Sequence, residues 1–157
     1  MSEQTGAPVL EITPETDLAT RFSDAVSPDT RKGYSGYLVR ADRLIDVATA
    51  IRDELGYDYL SSVTGVDYQP EGLMEVVYHL FRTTGGPALV IKTQVDRENA
   101  VVPSLVPVYP GAEFQEREAW DLLGIRFEGH PDLRRILLWE GFAGHPLRKD
   151  WKAVSYT

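Results

Sequence analysis

Apolar and polar positions along the chain change their spacing several times, and each change predicts a different element. Between Ser2 and Glu11, residues such as Gln4, Thr5, Gly6 and Pro8 offer little to bury, which predicts a frayed tail. Thr13 followed by Pro14 sets a capping hydroxyl before a ring suited to a first helical turn, so a short helix is expected through Leu18 and Phe22. Tyr34–Arg40 reads as a strand. After Asp42, placed to cap, the residues Leu44, Val47, Ala48, Ile51 and Leu55 recur at helical spacing until Gly56 stops them.

From Tyr57 the period moves toward two. Tyr59–Asp67, Leu73–Arg82 and Ala88–Asp96 are rich in Val, Ile, Leu, Tyr and Thr, with turn residues at Gln69–Gly72 and Thr83–Pro87, and predict a three-stranded meander. Pro103, Pro107 and Pro110 forbid a long element, so Ala100–Gly111 is expected as an irregular crossing or a short broken helix. Ala112–Leu123 forms helix and Gly124 closes it. The order predicts an α+β fold: a two-layer domain whose largely antiparallel, mixed sheet is covered by helices. After Phe127 the only apolar run is Ile136–Trp139, too little for a core of its own, so this stretch must lie along its own domain or a partner. The expected organisation is a tail and short helix over 1–30, the α+β domain over 31–127, and an extended C-terminal docking segment over 128–157.

The 157 residues suit one domain, and 43% hydrophobic with 25% charged residues excludes wholesale disorder. The absence of cysteine removes disulfides, thiol nucleophiles and cysteine-ligated zinc or iron–sulfur clusters. No apolar run exceeds four residues, against about 20 for a spanning helix, and Met1–Ala7 has neither a basic stretch nor an apolar centre, so no secretory signal is expected. A net charge of −8 opposes nucleic acid and anionic lipid. The charge is uneven: residues 126–152 carry six Lys/Arg against four acids, a balance of +2, which leaves −10 on the other 130 residues. All three tryptophans, Trp120, Trp139 and Trp151, fall in the last 40 positions, and Trp with Arg is the composition of interface anchors or of a core that closes late.

Candidate chemistry is sparse. Gly129-His130-Pro131 and Gly144-His145-Pro146 are echoes that each present a His and then basic residues, and His130 and His145 with Asp132 and Asp150 could ligate zinc or iron. The competing reading has both histidines bonded to backbone or carboxylates. Glu118 and Asp121 stand three apart on the last helix and could face one another as acid and base, whereas Glu116 and Glu118 diverge; alternatively these acids anchor Arg117 and Arg126. His79 reads as a sheet residue. No phosphate-cradling glycine motif or nucleophile elbow occurs. The pairs Arg134-Arg135 and Arg148-Lys149 suit carboxylates on a protein partner.

The string Glu116-Arg117-Glu118-Ala119-Trp120-Asp121-Leu122-Leu123-Gly124-Ile125-Arg126-Phe127-Glu128-Gly129-His130-Pro131-Asp132-Leu133-Arg134-Arg135 closely resembles the signature of the thirty-kilodalton subunit of proton-translocating NADH-quinone oxidoreductase, respiratory complex I. Gly144–Asp150 looks like that family's second block, and weaker likeness runs back through Ser61–Tyr68 and Val76–Leu80. Phe114 and Trp120 depart from it, standing where Trp and Tyr are expected. The resemblance implies a non-catalytic hydrophilic subunit of the peripheral arm, on the cytoplasmic face of the membrane and joined to it only through the complex. NADH, FMN, iron–sulfur clusters and quinone would be held by other chains, with no cofactor or metal on this one. Its partners would be the quinone-site subunit and neighbouring iron–sulfur subunits. Arg134, Arg135, Trp139, His145, Arg148, Lys149 and Trp151 are then expected to dock, while Glu116, Arg117, Glu118 and Asp121, with Gly124, brace the turn at Gly129, His130 and Pro131. A membrane-bound hydrogenase or other donor dehydrogenase would use a similar subunit, and a stand-alone metalloenzyme is the alternative of a different class.

Overall fold

The computed structural model describes residues 14–154, residues 14–16 in their backbone alone; the expected tail and the Thr13 cap lie outside the described residues. Helix α1 (Pro14–Arg21) leads into strand β1 (Val26–Pro28), then β2 (Tyr37–Val39) and helix α2 (Leu44–Asp53). Three long strands follow, β3 (Tyr59–Tyr68), β4 (Leu73–Phe81) and β5 (Leu89–Asp96), and then β6 (Val101–Pro103), α3 (Ala112–Leu123) and β7 (Arg126–Glu128).

The meander expected over residues 59–96 is present and extends into a five-stranded sheet of order β1-β2-β5-β4-β3. All neighbours are antiparallel except β2 and β5, where Tyr37 lies beside Ile91. The alternation written in β4 decides which side is inward: Met74, Val76, Tyr78 and Leu80 are fully buried, together with Ile91 of β5. The stripe Leu44, Val47, Ala48 and Ile51 of α2 and residues Ala112, Ala119 and Leu123 of α3 close the same core. On the opposite face of β4 and β5, Glu75 and Lys92 are buried beneath the loop between β1 and β2, where Asp29 binds Lys92 at 2.6 Å and Arg31 binds Asp29 at 2.7 Å.

Three expectations change. Of the expected 1–30 segment, the described part is joined to the domain, because Leu18, Ala25 and Val26 are built into the core and β1 pairs with β2. Asp42 does not cap α2; its carboxylate binds Arg40 at 2.6 Å within a short 3-10 turn, and α2 begins at Leu44 with no side-chain cap. The crossing after Ala100 contains a strand, β6, parallel to β7 with Val102 opposite Phe127. In this two-stranded sheet β6 is an edge strand, where the missing N–H of Pro103 is tolerated, and the next N–H, of Ser104, donates to the Glu128 carbonyl at 2.8 Å.

Candidate functional site

Helix α3 and the segment that follows β7 form one polar assembly. Gly124 ends α3 in the left-handed region at φ +75°, with its N–H bonded to the Trp120 carbonyl at 2.8 Å. A Cβ at this position would meet the His145 ring at 2.7 Å, so the missing side chain also leaves room for the returning chain. Over residues 129–154 the segment has turns and bends but no helix or strand, and its backbone groups find partners in side chains.

Asp121, fully buried, is the centre. One carboxylate oxygen accepts the N–H groups of Ile136, Leu137 and Leu138 at 3.1, 2.8 and 2.9 Å, and the other accepts Arg135 at 2.7 Å. Three successive backbone N–H groups turned onto one oxygen form an anion nest, here filled from within the chain. Burial works to raise the Asp121 carboxyl, but the N–H groups and the guanidinium outweigh it and hold the group below its ordinary value. Arg135 also donates to the carbonyls of Phe142 and Gly144, both at 2.9 Å.

The other anchors repeat this logic. Arg117, buried on α3, donates to the carbonyls of Arg134 and Arg135 at 3.2 and 2.9 Å. Arg148 donates to the Leu123 carbonyl at 2.7 Å, and the Leu147 N–H to that of Leu122 at 2.9 Å. Asp67 at the end of β3 binds Arg97 through two bonds, 2.7 and 2.9 Å, and accepts the Lys149 N–H at 2.9 Å, while Arg97 also reaches Asp150 at 2.7 Å. Arg97, foremost, holds the Asp67 carboxyl below its usual value against burial. Trp151 donates to the Ala143 carbonyl at 3.1 Å, and its ring stacks on Phe142.

His130 is fixed by the backbone on both sides. Its Nε2 lies 2.9 Å from the Glu113 carbonyl, which requires a proton there, and its Nδ1 accepts the Asp132 N–H at 2.9 Å. Those partners assign the neutral Nε2–H tautomer. Glu116, fully buried 4.0 Å from that Nε2, accepts the Ser104 hydroxyl at 2.6 Å and the Leu105 N–H at 2.7 Å. Burial raises the Glu116 carboxyl, and those two bonds only partly offset it. His145 Nδ1 lies 2.9 Å from the Asp121 carbonyl, with the ring tilted against Trp120.

The expected site residues thus divide. Asp121, Arg117, Arg135, His145 and Arg148 hold the segment to its own domain, while Trp151 packs within the segment, on Phe142 and the Ala143 carbonyl. The Arg134 side chain is exposed and pairs with Asp132, Lys149 is exposed, and Trp139 is 64% exposed. The expected anchoring of Arg117 and Arg126 by these acids is replaced. Asp121 takes Arg135, because three converging N–H groups bring the neighbouring guanidinium with them, and Glu116 takes a hydroxyl and an amide. Glu118 does not face Asp121 as an acid–base partner; it is exposed beside a groove of about 240 Å³ lined also by Val63, Gln115, Ala119, Leu122 and Leu147. The metal arrangement around His130 and His145 is not assembled: His130 has both ring nitrogens engaged, and among the described residues no three acidic or His side chains are grouped to hold an ion. Sequence reasoning missed Asp67, Arg97 and Ser104 as anchors, since their partners lie 30, 53 and 12 residues away and no local spacing marks them.

A two-layer α+β domain with a C-terminal strap latched across its last helix is the class of protein that these elements define. The model of the family "Respiratory-chain NADH dehydrogenase, 30 Kd subunit" matches residues 37–157, and the chain belongs to that family. It is 44% identical over 115 residues to an NADH-quinone oxidoreductase subunit of Moorella thermoacetica, covering 73% of this chain and 78% of that one. Among solved structures, a trypsin-resistant fragment (1-134) of Nqo5 is similar with a TM-score of 0.62 and 27% identity, over 76% of this chain and 98% of the fragment. A chain of the membrane-bound sulfane sulfur reductase, an archaeal respiratory membrane complex, is similar with a TM-score of 0.74 and 25% identity, over 90% and 85%.

Proposed function

We propose that this chain serves as the thirty-kilodalton-family member of the peripheral arm of an NADH-quinone oxidoreductase and that it carries no active site of its own. It supplies geometry: the strap covers a surface of the quinone-site subunit and meets neighbouring iron–sulfur subunits, and those chains hold FMN, the clusters and the quinone. The assembly sits on the cytoplasmic face of the membrane and this chain reaches the membrane only through it. Among the described residues no helix is long and apolar enough to cross a bilayer. The observation that carries the reading is the strap itself, ordered on its own domain by Asp121, Arg117 and Arg135 and thereby set to present one side outward. Of the expected docking residues, Arg134, Trp139 and Lys149 remain available on that side, and Arg135, His145, Arg148 and Trp151 act as its support.

The test is recovery of the tagged chain from membranes. The quinone-site subunit and NADH-driven quinone reduction are expected to accompany it, and the purified chain alone is expected to oxidise no NADH. Turnover by the isolated chain would overturn the reading. The likeness to the sulfane sulfur reductase chain supports a second reading, a related respiratory complex with another electron donor. That reading predicts the same companion arrangement with no NADH-driven activity.

A further inference from the structure

The turn that starts the strap sets a buried acid beside a buried base. The side chains of Glu116 and His130 are both fully buried, and His130 Nε2 lies 4.0 Å from a Glu116 carboxylate oxygen. That is beyond hydrogen-bond reach, yet close enough for a charge to be felt where water is excluded. The ring is held in its neutral form: Nε2 donates to the Glu113 carbonyl and Nδ1 accepts the Asp132 N–H, both at 2.9 Å. While the turn is closed a second proton has no seat on Nδ1, because it would face another N–H. The groups around Glu116 are donors as well, the Ser104 hydroxyl at 2.6 Å and the Leu105 N–H at 2.7 Å, and neither of them carries a charge. The acid is thus buried with His130 as its nearest group able to become a cation.

We propose that His130 is a proton-operated joint at the root of the strap: in a mildly acid medium a second proton enters at Nδ1, the Asp132 N–H is expelled, and the turn over residues 129–132 opens with the imidazolium paired to Glu116. Histidine is the side chain whose charge ordinarily changes between pH 5 and 8. The surroundings decide what the new charge meets. From α3, the Glu116 carboxylate favours the cation, Glu113 contributes its carbonyl, and Arg117 opposes the cation. From the turn itself Asp132 favours it, with Arg134 already bound to that carboxylate at 2.8 Å. From β4, the buried Tyr78 phenol is raised well above its ordinary value by burial and stays neutral. From the crossing before α3 only the uncharged Ser104 hydroxyl and Leu105 N–H face the pair. Two carboxylates against one free guanidinium make the cation the better-matched form, and the cost is the single bond to Asp132. The bonds from Asp121 to the N–H groups of residues 136–138 lie beyond this turn. Opening therefore loosens the exit of the strap from β7 and leaves it latched to α3.

The test is nuclear magnetic resonance of the full-length chain, with nitrogen-labelled histidine, between pH 8 and pH 5. The Nδ1 resonance of His130 is expected to move from the unprotonated to the protonated position. Over the same range, protection of the Asp132 amide, corrected for the intrinsic pH dependence of exchange, should fall about tenfold, the loss of one hydrogen bond. His130→Asn keeps an oxygen able to accept the Asp132 N–H and cannot take up the proton; its Asp132 protection should stay within twofold. Glu116→Gln removes the counter-charge and should displace Nδ1 protonation to lower pH. Circular dichroism verifies that each variant is folded. An Nδ1 that stays unprotonated at pH 5, whether or not Glu116 takes up a proton instead, would overturn the proposal. So would protonated Nδ1 with Asp132 protection unchanged, the same fall in protection in His130→Asn, or a Glu116→Gln chain in which His130 titrates as in the unaltered one. All of these readouts are on this chain by itself, so the outcome does not depend on which respiratory complex it joins.

Discussion

In the sheet, β4 and β5 bury Met74, Val76, Tyr78, Leu80 and Ile91 completely, and regular ladders satisfy the backbone. In the strap, the order is reversed: polar side chains of α3 and β3 satisfy an irregular backbone, and large apolar side chains point away from the domain. The sheet distributes its stability over many contacts that do not depend on any one partner. The strap concentrates its stability in a few charged groups, chiefly Asp121, Asp67, Arg117 and Arg135. A segment built this way can be ordered without consuming its apolar surface, and for that reason it can be ready for a partner while still belonging to its own chain.

Substitution at each centre separates the two designs. Ile91→Ala, in the fully buried sheet face, is expected to cost about 2–5 kcal/mol in denaturant unfolding, because it leaves a cavity among neighbours that relax only partly. Asp121→Ala removes the acceptor for Arg135 and three backbone N–H groups. Its expected cost is about 3 kcal/mol, confined to the strap, so exchange of amides 134–151 should accelerate roughly a hundredfold and trypsin should cut after Arg134, Arg135 and Arg148. Equal acceleration in β4 and β5 would show that sheet and strap unfold as one unit.

The sheet was legible in sequence because its signals are local. Period-two alternation through Leu73–Arg82, the turn at Gln69–Gly72 and the Leu44–Ile51 stripe each lie within a few residues of the backbone they shape. Strand β1, three residues long, had too short a pattern to read. The strap was legible as a problem, a stretch with no core of its own, and the string from Glu116 to Arg135 located its family. Its roles were not legible, since the contacts that define it join Asp121 to Arg135, Arg117 to Arg134 and Arg97 to Asp150 across turns that no periodicity marks. The arginines looked outward because exposure is the default for a charged residue; carbonyls left over at the end of α3 and in the turns drew them inward.

Gly124→Ala tests the junction between the two regions. A side chain in the left-handed region at φ +75° costs about 1–2 kcal/mol, and the His145 ring would have to shift from 2.7 Å contact with the new Cβ. The expected outcome is a modest loss of stability with the Trp120–His145 contact disturbed, seen as a change in tryptophan fluorescence. An unchanged spectrum would place His145 away from α3 in solution.

The smallest effect, and the one that ranks the regions most finely, is the response to acid. The folded Asp121 and Asp67 carboxyls sit below their unfolded values, so the stability they contribute is present above the unfolded value and is lost as pH falls through the folded one. Glu116 has the opposite sense: burial raises it, so the stability tied to its protonated form is present below the unfolded value and is lost as pH rises through the folded one. Beneath the β1–β2 loop, Arg31 holds the Asp29 carboxyl far below the carboxylate range, so the ion cluster on the sheet survives to lower pH than the strap. Titrating hydrogen exchange from neutral downward should therefore release residues 134–151 first and the loop over Lys92 last, and Asp121→Asn should flatten the first step without moving the last. Release of the strap on raising the pH, or simultaneous release of both regions, would show that the strap does not depend on its two carboxylates in the way the geometry requires.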